Sequence, residues 1–227
     1  MAIDFVEQDI NREQALSRLR YEASTMRELV EDTLTFAWLN TESPQLNSDD
    51  FDLVELINVI CEDARFEYPD RTLHVDTPEC ANIEKSSQLA LGQALENIIR
   101  NALRHTPEQS KVSLTLTSDN NNYVITVTDE GTGVPESMLD AIFEPFFRVD
   151  KARAAKNYVH AAKRSGFGLG LALAKRQIAA VGGDISAINR AALIKDNALH
   201  RDASATKQTG LVVTITLPKS FNAAFAN

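Results

Sequence analysis

Apolar residues first recur in this chain at the spacing of a helix. Over residues 7–40, Leu16, Leu19, Ala23, Met26, Val30, Thr33 and Ala37 alternate by three and four, with Glu and Arg among the other positions. That spacing lays one narrow stripe along a single long helix, the pattern of a helix–helix seam. Ser43-Pro44 punctuates its end, because the residue before a proline is pushed out of helical geometry. Such a stripe must be buried against the helix's own domain, a second copy or a partner helix.

Past an acidic linker at Ser48-Asp49-Asp50 the periods mix. Residues 51–66 repeat at helical spacing, with Leu53, Leu56, Ile57 and Ile60 on one face. Residues 72–75 and 81–83 predict short strands. Residues 87–105 predict a second strong helix, with Leu91, Leu95, Ile98 and Ala102 inward. The runs 111–117 and 123–128 alternate with period two across Ser118-Asp119-Asn120-Asn121-Asn122, which predicts a hairpin. A Gly/Pro loop and the cluster Phe143-Glu144-Pro145-Phe146-Phe147 follow, then a basic stretch to Arg164. Ser165-Gly166-Phe167-Gly168-Leu169-Gly170 opens a helix to about Val181. Strands at 184–188 and 211–217 close the pattern, separated by a polar stretch, 189–209, that predicts a surface insertion. The expected architecture is an α/β sandwich, a mixed sheet covered on one face by helices. Residues 46–227 form that domain, and residues 1–45 form an appended helix.

Composition narrows the class. The chain has 227 residues, 44% hydrophobic and 24% charged, enough for one core plus an appendage. No run approaches the roughly 18 apolar residues of a membrane span, and no basic-then-apolar leader opens the chain. The Met1-Ala2 start leaves a membrane segment upstream open. Cys61 and Cys80 are too few for a disulfide framework and form no zinc pattern, which favours a reducing compartment. The net charge of −9 is uneven: residues 1–70 hold 17 acids and 5 bases, residues 71–227 hold 15 and 18. The acidic first part argues against nucleic acid as its partner. The remainder has room for a local anion site.

Four local patterns carry chemistry. On the predicted helix 87–105, Gln93, Asn97, Asn101 and His105 fall at four-residue steps, with Arg104 alongside. Such a stripe is either a solvated face or a ligand face for a Mg-triphosphate. An amide oxygen is a neutral hard ligand for Mg²⁺, which takes most of its charge balance from phosphates, and Arg104 and His105 suit phosphate oxygens. Asp129 ends a β-run just before Glu130-Gly131-Thr132-Gly133-Val134-Pro135. It reads as a turn residue, or as a buried acceptor for the exocyclic amine of adenine, with glycines letting the backbone approach the ring. Gly166, Gly168 and Gly170 alternate where a helix begins, and free N–H groups there favour phosphate. Ahead of them Arg148, Lys151, Arg153, Lys156, Lys163 and Arg164 stand against one acid, Asp150. Flanked by Phe146-Phe147 and glycines, residues 147–165 predict a lid over a polyphosphate.

The order of these patterns discriminates further than any one of them. Glu96-Asn97-Ile98-Ile99-Arg100-Asn101-Ala102-Leu103-Arg104-His105-Thr106-Pro107, Asp129-Glu130-Gly131-Thr132-Gly133-Val134-Pro135, Ile142-Phe143-Glu144-Pro145-Phe146-Phe147-Arg148 and Gly166-Phe167-Gly168-Leu169-Gly170-Leu171-Ala172 stand in sequence. This resembles the N, G1, F and G2 boxes of the catalytic domain of bacterial sensor histidine kinases. The superfamily also contains DNA gyrase B, mismatch-repair ATPases and a heat-shock chaperone. The resemblance runs from about Phe51 to Pro218. Upstream, Met26-Arg27-Glu28-Leu29-Val30-Glu31-Asp32-Thr33-Leu34-Thr35-Phe36-Ala37 looks like the second helix of the family's dimerization hairpin.

The resemblance implies a Bergerat-type fold that binds ATP and Mg²⁺. Asn101 would be the Mg²⁺ ligand and Asn97 would lie beside the phosphates. Arg104 and His105 would contact phosphate or ribose. Asp129 would hold the adenine amine in a pocket shaped by Gly131 and Gly133. Arg148 would neutralise the terminal phosphate, and Gly166, Gly168, Leu169 and Gly170 would form the lid hinge and phosphate cradle. Of these, Arg148, Asn97 and Arg104 would serve the transfer itself. The implied function is donation of the ATP γ-phosphoryl to a histidine on the hairpin, for relay to a response-regulator receiver domain. A homodimer in the bacterial inner membrane, with this domain in the cytoplasm, goes with that.

Four departures stand out. The family's acceptor motif is missing, since His74, His105, His160 and His200 are the only histidines and none has its context. The segments 147–165 and 189–209 are longer than the family's. The last strand begins Leu211-Val212-Val213, where the family commonly has Thr. Two rival readings remain at this point: another ATPase of the superfamily, which would carry Glu at the position of Asn97, and a non-catalytic ATP-sensing module.

Overall fold

A computed structural model describes residues 2–39, 46–149, 167–192 and 209–220. The predicted lid bases Lys151, Arg153, Lys156, Lys163 and Arg164, with Gly166, lie outside the described residues, as do Ser43-Pro44, His160 and His200.

The chain opens with helix α1, Ala2–Leu39. Strand β1, Asp49–Asp52, follows, then helix α2, Leu53–Glu67, strand β2, Thr72–Asp76, and strand β3, Asn82–Ser86. Asp49 and Asp50 of the expected acidic linker therefore lie in a strand, paired antiparallel with β3. Asp52 explains why α2 starts two residues later than the periodicity suggests. Its Oδ1 accepts the N–H of Val54 at 2.9 Å, capping the helix, and the N–H of Ala81 at 2.9 Å, tying the cap to the segment that enters β3.

Helix α3, Gln88–His105, begins where Ser87 Oγ accepts the N–H of Ala90 at 3.3 Å. Strands β4, Lys111–Ser118, and β5, Asn122–Thr128, form the expected hairpin, closed by Asp119, whose Oδ1 accepts the N–H groups of Asn121 and Asn122. Two short 3₁₀ turns, Glu136–Met138 and Ala141–Phe143, lead to the phenylalanine cluster. Helix α4, Gly170–Ala180, and strands β6, Asp184–Asn189, and β7, Leu211–Pro218, complete the domain.

The main sheet has the order β2-β4-β5-β7-β6, with β2 parallel to β4 and every other pair antiparallel. Alternation in the strands decides which face is covered. Leu114, Ile125 and Ile215 point into a core shared with Leu91, Leu95 and Ile98 of α3 and Ile178 of α4. On the opposite face Thr115, Thr126, Thr214 and Ser186 form one row across four strands. None of the four is buried, so that face meets solvent. This is the mixed sheet with helices on one face that the pattern predicts.

Helix α1 docks on α4, but not through the expected stripe. Leu39 is buried with Leu169 and Leu173, Leu29 and Phe36 pack alongside, and the Arg176 guanidinium lies 5.8 Å from the Phe36 ring centre. The stripe itself stays out in solvent: Leu19 is 65% and Met26 67% exposed. The helix is apolar on two sides, and its own domain takes the other one.

Candidate functional site

Asp129 follows the last residue of β5 and is buried, 6% exposed. The sheet positions it directly. Its N–H donates to the carbonyl of Leu211 at 2.9 Å, continuing the β5–β7 ladder by one residue. Its Oδ1 accepts the N–H of Gly131 at 2.7 Å and that of Leu211 at 3.1 Å. Both bonds fall on one carboxylate oxygen; Oδ2 takes part in neither. Burial raises the pKa of this carboxyl above the ordinary value. The two backbone bonds and the charges of His105 and Arg190 pull the other way without offsetting it.

Gly131 makes the niche possible. A Cβ there would stand 2.7 Å from the carbonyl oxygen of His105 and 2.9 Å from Asp129 Oδ1. The loop after β5 thus presses its backbone on the C-terminal end of α3, and only glycine allows that approach.

Helix α3 forms the common wall of the site. From the predicted polar stripe, Gln93 Oε1 accepts a hydrogen bond from Gln177 Nε2 at 2.8 Å, which registers α3 against α4. Asn97 faces the start of α4, with its Oδ1 3.3 Å from the place of a Gly170 Cβ. Asn101 and Arg104 are half-buried farther along, and His105 is exposed at the end. The neighbouring ions serve the scaffold: Arg100 bridges Glu67 at 2.9 Å and Glu96 at 3.0 Å. Among the described residues no side-chain cap closes the first turn of α4, whose N-cap residue is Leu169.

The phenylalanine cluster is pinned to that same helix start. Phe143 is buried under the Lys175 ammonium, and the Phe146 N–H donates to the carbonyl of Gly168 at 2.8 Å. Gly168 has φ +79, and a Cβ there would meet the Phe147 carbonyl oxygen at 2.6 Å and Arg148 Cγ at 3.2 Å. The stem of Arg148 thus lies beside Gly168, just ahead of α4. Leu169, next to it, is buried against α1 and serves packing there.

Two groups thus form: Asp129 and Gly131 at the C-terminal end of α3, with Gly133 against Asn189 and Gly210, and Asn97 of α3 beside Gly170, with Gly168 and Arg148 together just ahead of α4. Sequence reasoning missed Asn189, Arg190, Gly210 and Glu130. Arg190 Nη1 lies 3.2 Å from Glu130 Oε1, and the Arg190 N–H donates to the carbonyl of Gly210 at 2.9 Å. Gly210 lies so close to the Asp129 carbonyl that no Cβ fits. A glycine at the foot of a strand marks such an approach, and that signal was present in the sequence.

A mixed sheet helix-covered on one face, with a buried aspartate and a glycine loop at the end of a long helix, defines the class of ATPase that the motif order suggests. Residues 86–220 match the family of histidine kinase-, DNA gyrase B-, and HSP90-like ATPases, and the chain belongs to that family. Sensor protein PfeS of Pseudomonas aeruginosa is 37% identical over 183 residues, 78% of this chain and 38% of PfeS. Sensor histidine kinase WalK of Bacillus subtilis is 34% identical over 178 residues, 72% of this chain and 26% of WalK. The chain therefore spans only a minor part of the length of these relatives. The full-length ShkA structure in complex with AMPPNP shares the fold with a TM-score of 0.67 at 23% identity, over 91% of this chain and 38% of ShkA. Among the described residues no helix is long and apolar enough to cross a membrane.

Proposed function

We propose that this chain is the ATP-binding kinase domain of a two-component sensor histidine kinase. It donates the γ-phosphoryl of ATP to a histidine on a dimerization hairpin, for relay to an aspartate of a response-regulator receiver domain. The observation that carries this reading is Asp129, a buried carboxylate fixed through one oxygen by two backbone N–H groups inside a glycine-lined niche. Such a group accepts the exocyclic amine of adenine and selects against guanine, which lacks that donor.

Spacing along α3 supports the rest. Eight residues separate Asn97 from His105, about 12 Å of helix, which is the scale of a nucleoside triphosphate. The base sits at the Asp129 end. The phosphates reach the first turn of α4, where backbone N–H groups and the helix dipole favour anions. Among the described residues no three His, Cys, Asp or Glu side chains gather to hold a metal. This suits Mg²⁺ held by the Asn101 amide and the phosphates themselves. Bound Mg²⁺ would neutralise and orient phosphate oxygens. Arg104 and His105 contact phosphate or ribose, and Arg148 meets charge developing on the transferring group. Asn97 lacks a carboxylate to activate water, and Glu96 beside it is engaged by Arg100, so transfer is favoured over hydrolysis.

Residues 1–45 supply the second helix of the hairpin, and residues 46–227 supply the catalytic domain. The exposed stripe of α1 is the face for the rest of a homodimeric hairpin. The intact protein belongs to the bacterial inner membrane, with this domain on the cytoplasmic side.

Titration of the chain with Mg-ATP and with metal-free ADP tests the site. The unaltered chain binds both. Asn101→Ala is expected to weaken Mg-ATP by roughly tenfold and to leave ADP nearly unchanged. Equal losses for the two nucleotides make Asn101 a structural residue.

A further inference from the structure

The proposed adenine pocket is built on a loop without regular secondary structure, yet its backbone is held at both ends. Asn189, the last residue of β6 and the register partner of Leu211, does most of this. The Val134 N–H donates to Asn189 Oδ1 at 2.9 Å, and Asn189 Nδ2 donates to the Val134 carbonyl at 2.6 Å. One side-chain amide thereby satisfies both backbone groups of Val134, as a neighbouring strand would. A primary amide carries its donor and its acceptor on two adjacent atoms, which matches the N–H and C=O of a single residue. The fit is close, because Asn189 Oδ1 lies 2.7 Å from the place of a Gly133 Cβ. Arg190 holds the same loop from its other end through Glu130, whose Oε2 also accepts the N–H of Lys111 at 2.9 Å.

We infer that Asn189 is a positioning residue for the nucleotide base. It touches no ligand; it fixes the 130–134 loop so that Asp129 and Gly131 keep one arrangement before the base arrives. This rests on the proposed nucleotide-binding reading. A preorganised loop spares the ligand the cost of ordering it, so affinity depends on a residue outside the pocket. Without Asn189 the half-buried Val134 groups lose both partners, and the loop gains conformers in which the Gly131 N–H leaves Asp129. Asn189 then belongs to the site, although it stands at the start of the polar stretch expected as an insertion.

The test uses the full chain, metal-free ADP as probe, and two variants. Asn189→Ala removes both bonds, and the near-isosteric Asn189→Asp keeps the acceptor but sets a carboxylate against the Val134 carbonyl. Each is expected to bind ADP roughly tenfold more weakly. Without nucleotide, amide exchange at residues 131–134 should quicken while the β4–β5 ladder stays protected, which also verifies folding. A double-mutant cycle separates positioning from plain stability. Once Asp129→Asn has removed the base contact, Asn189→Ala should weaken ADP less than twofold further. ADP affinity within twofold of the unaltered chain, or additive losses in the cycle, overturns the inference while leaving the nucleotide site in place. An unaltered chain that does not bind ADP overturns the site, and the positioning role with it.

Discussion

Asp129→Asn is expected to abolish most of the ATP affinity while leaving the nucleotide-free fold as stable as before, or more stable. In the proposed pocket the carboxylate would accept from the adenine amine, whereas an amide can present a donor there and lacks the charge. The loss is about 1–3 kcal/mol, or roughly 5- to 150-fold. Stability moves the other way because burial raises this carboxyl's pKa in the folded state. Well below the ordinary carboxylate value both folded and unfolded chains hold the proton, and the site costs nothing. As pH rises past that value the unfolded chain ionises first, so the folded state loses relative stability until its own raised pKa is passed. Above that pKa the cost is complete. The neutral amide of the variant would carry no such cost, and its side-chain oxygen can still accept from Gly131 and Leu211. ATP titration and thermal unfolding from acid to neutral pH measure both effects. An unchanged ATP affinity removes Asp129 from the adenine pocket.

Gly168→Ala is expected to destabilise the fold and to disturb the entrance to α4. Its φ of +79 strains any side chain, and the new Cβ would stand 2.6 Å from a backbone oxygen, that of Phe147. Neither partner can yield cheaply, since the Phe146 N–H donates to the Gly168 carbonyl and Phe146 itself has φ 62. Relief requires parting the phenylalanine segment from the start of α4, and that displaces Arg148. A loss of about 2–3 kcal/mol and a fall in phosphoryl transfer are expected. Gly92→Ala is the control. It sits inside α3, its Cβ would meet only Leu56 Cδ1 at 3.5 Å, and helix propensity favours alanine. Denaturant unfolding of the two variants decides: equal stability would remove the steric role of Gly168.

The parts of the fold that were legible are those with local causes. The limits of α3 follow from Ser87 as cap and from its 3.6-residue period, and the β4–β5 hairpin from alternation around the Asp119 turn. Strand β1 was hidden because four residues reading Asp-Asp-Phe-Asp carry no alternation; β3 alone makes them a strand. The stripe on α1 was read correctly as apolar. Periodicity says that a stripe needs a partner, but not which of two apolar faces the domain takes, and Leu29, Phe36 and Leu39 proved to be that face. At the site, Asp129 and Gly131 were visible through motif order. Asn189 was not, because its partner Val134 is 55 residues away and no period links them. Asn97 and Gly170 were each singled out by sequence, and the structure adds that they face one another.

Phosphoryl transfer in trans is the most direct test of the proposed donor role. The chain is incubated with γ-labelled ATP and Mg²⁺, alone and with a separate hairpin that carries an acceptor histidine. Label should appear on the hairpin in acid-labile form and not on the chain. Transfer should be slow, because the high effective concentration of a tethered pair, commonly millimolar, is given up. Strong labelling of the chain itself at His74, His105, His160 or His200, or ATP binding with no label on the hairpin, would contradict the account.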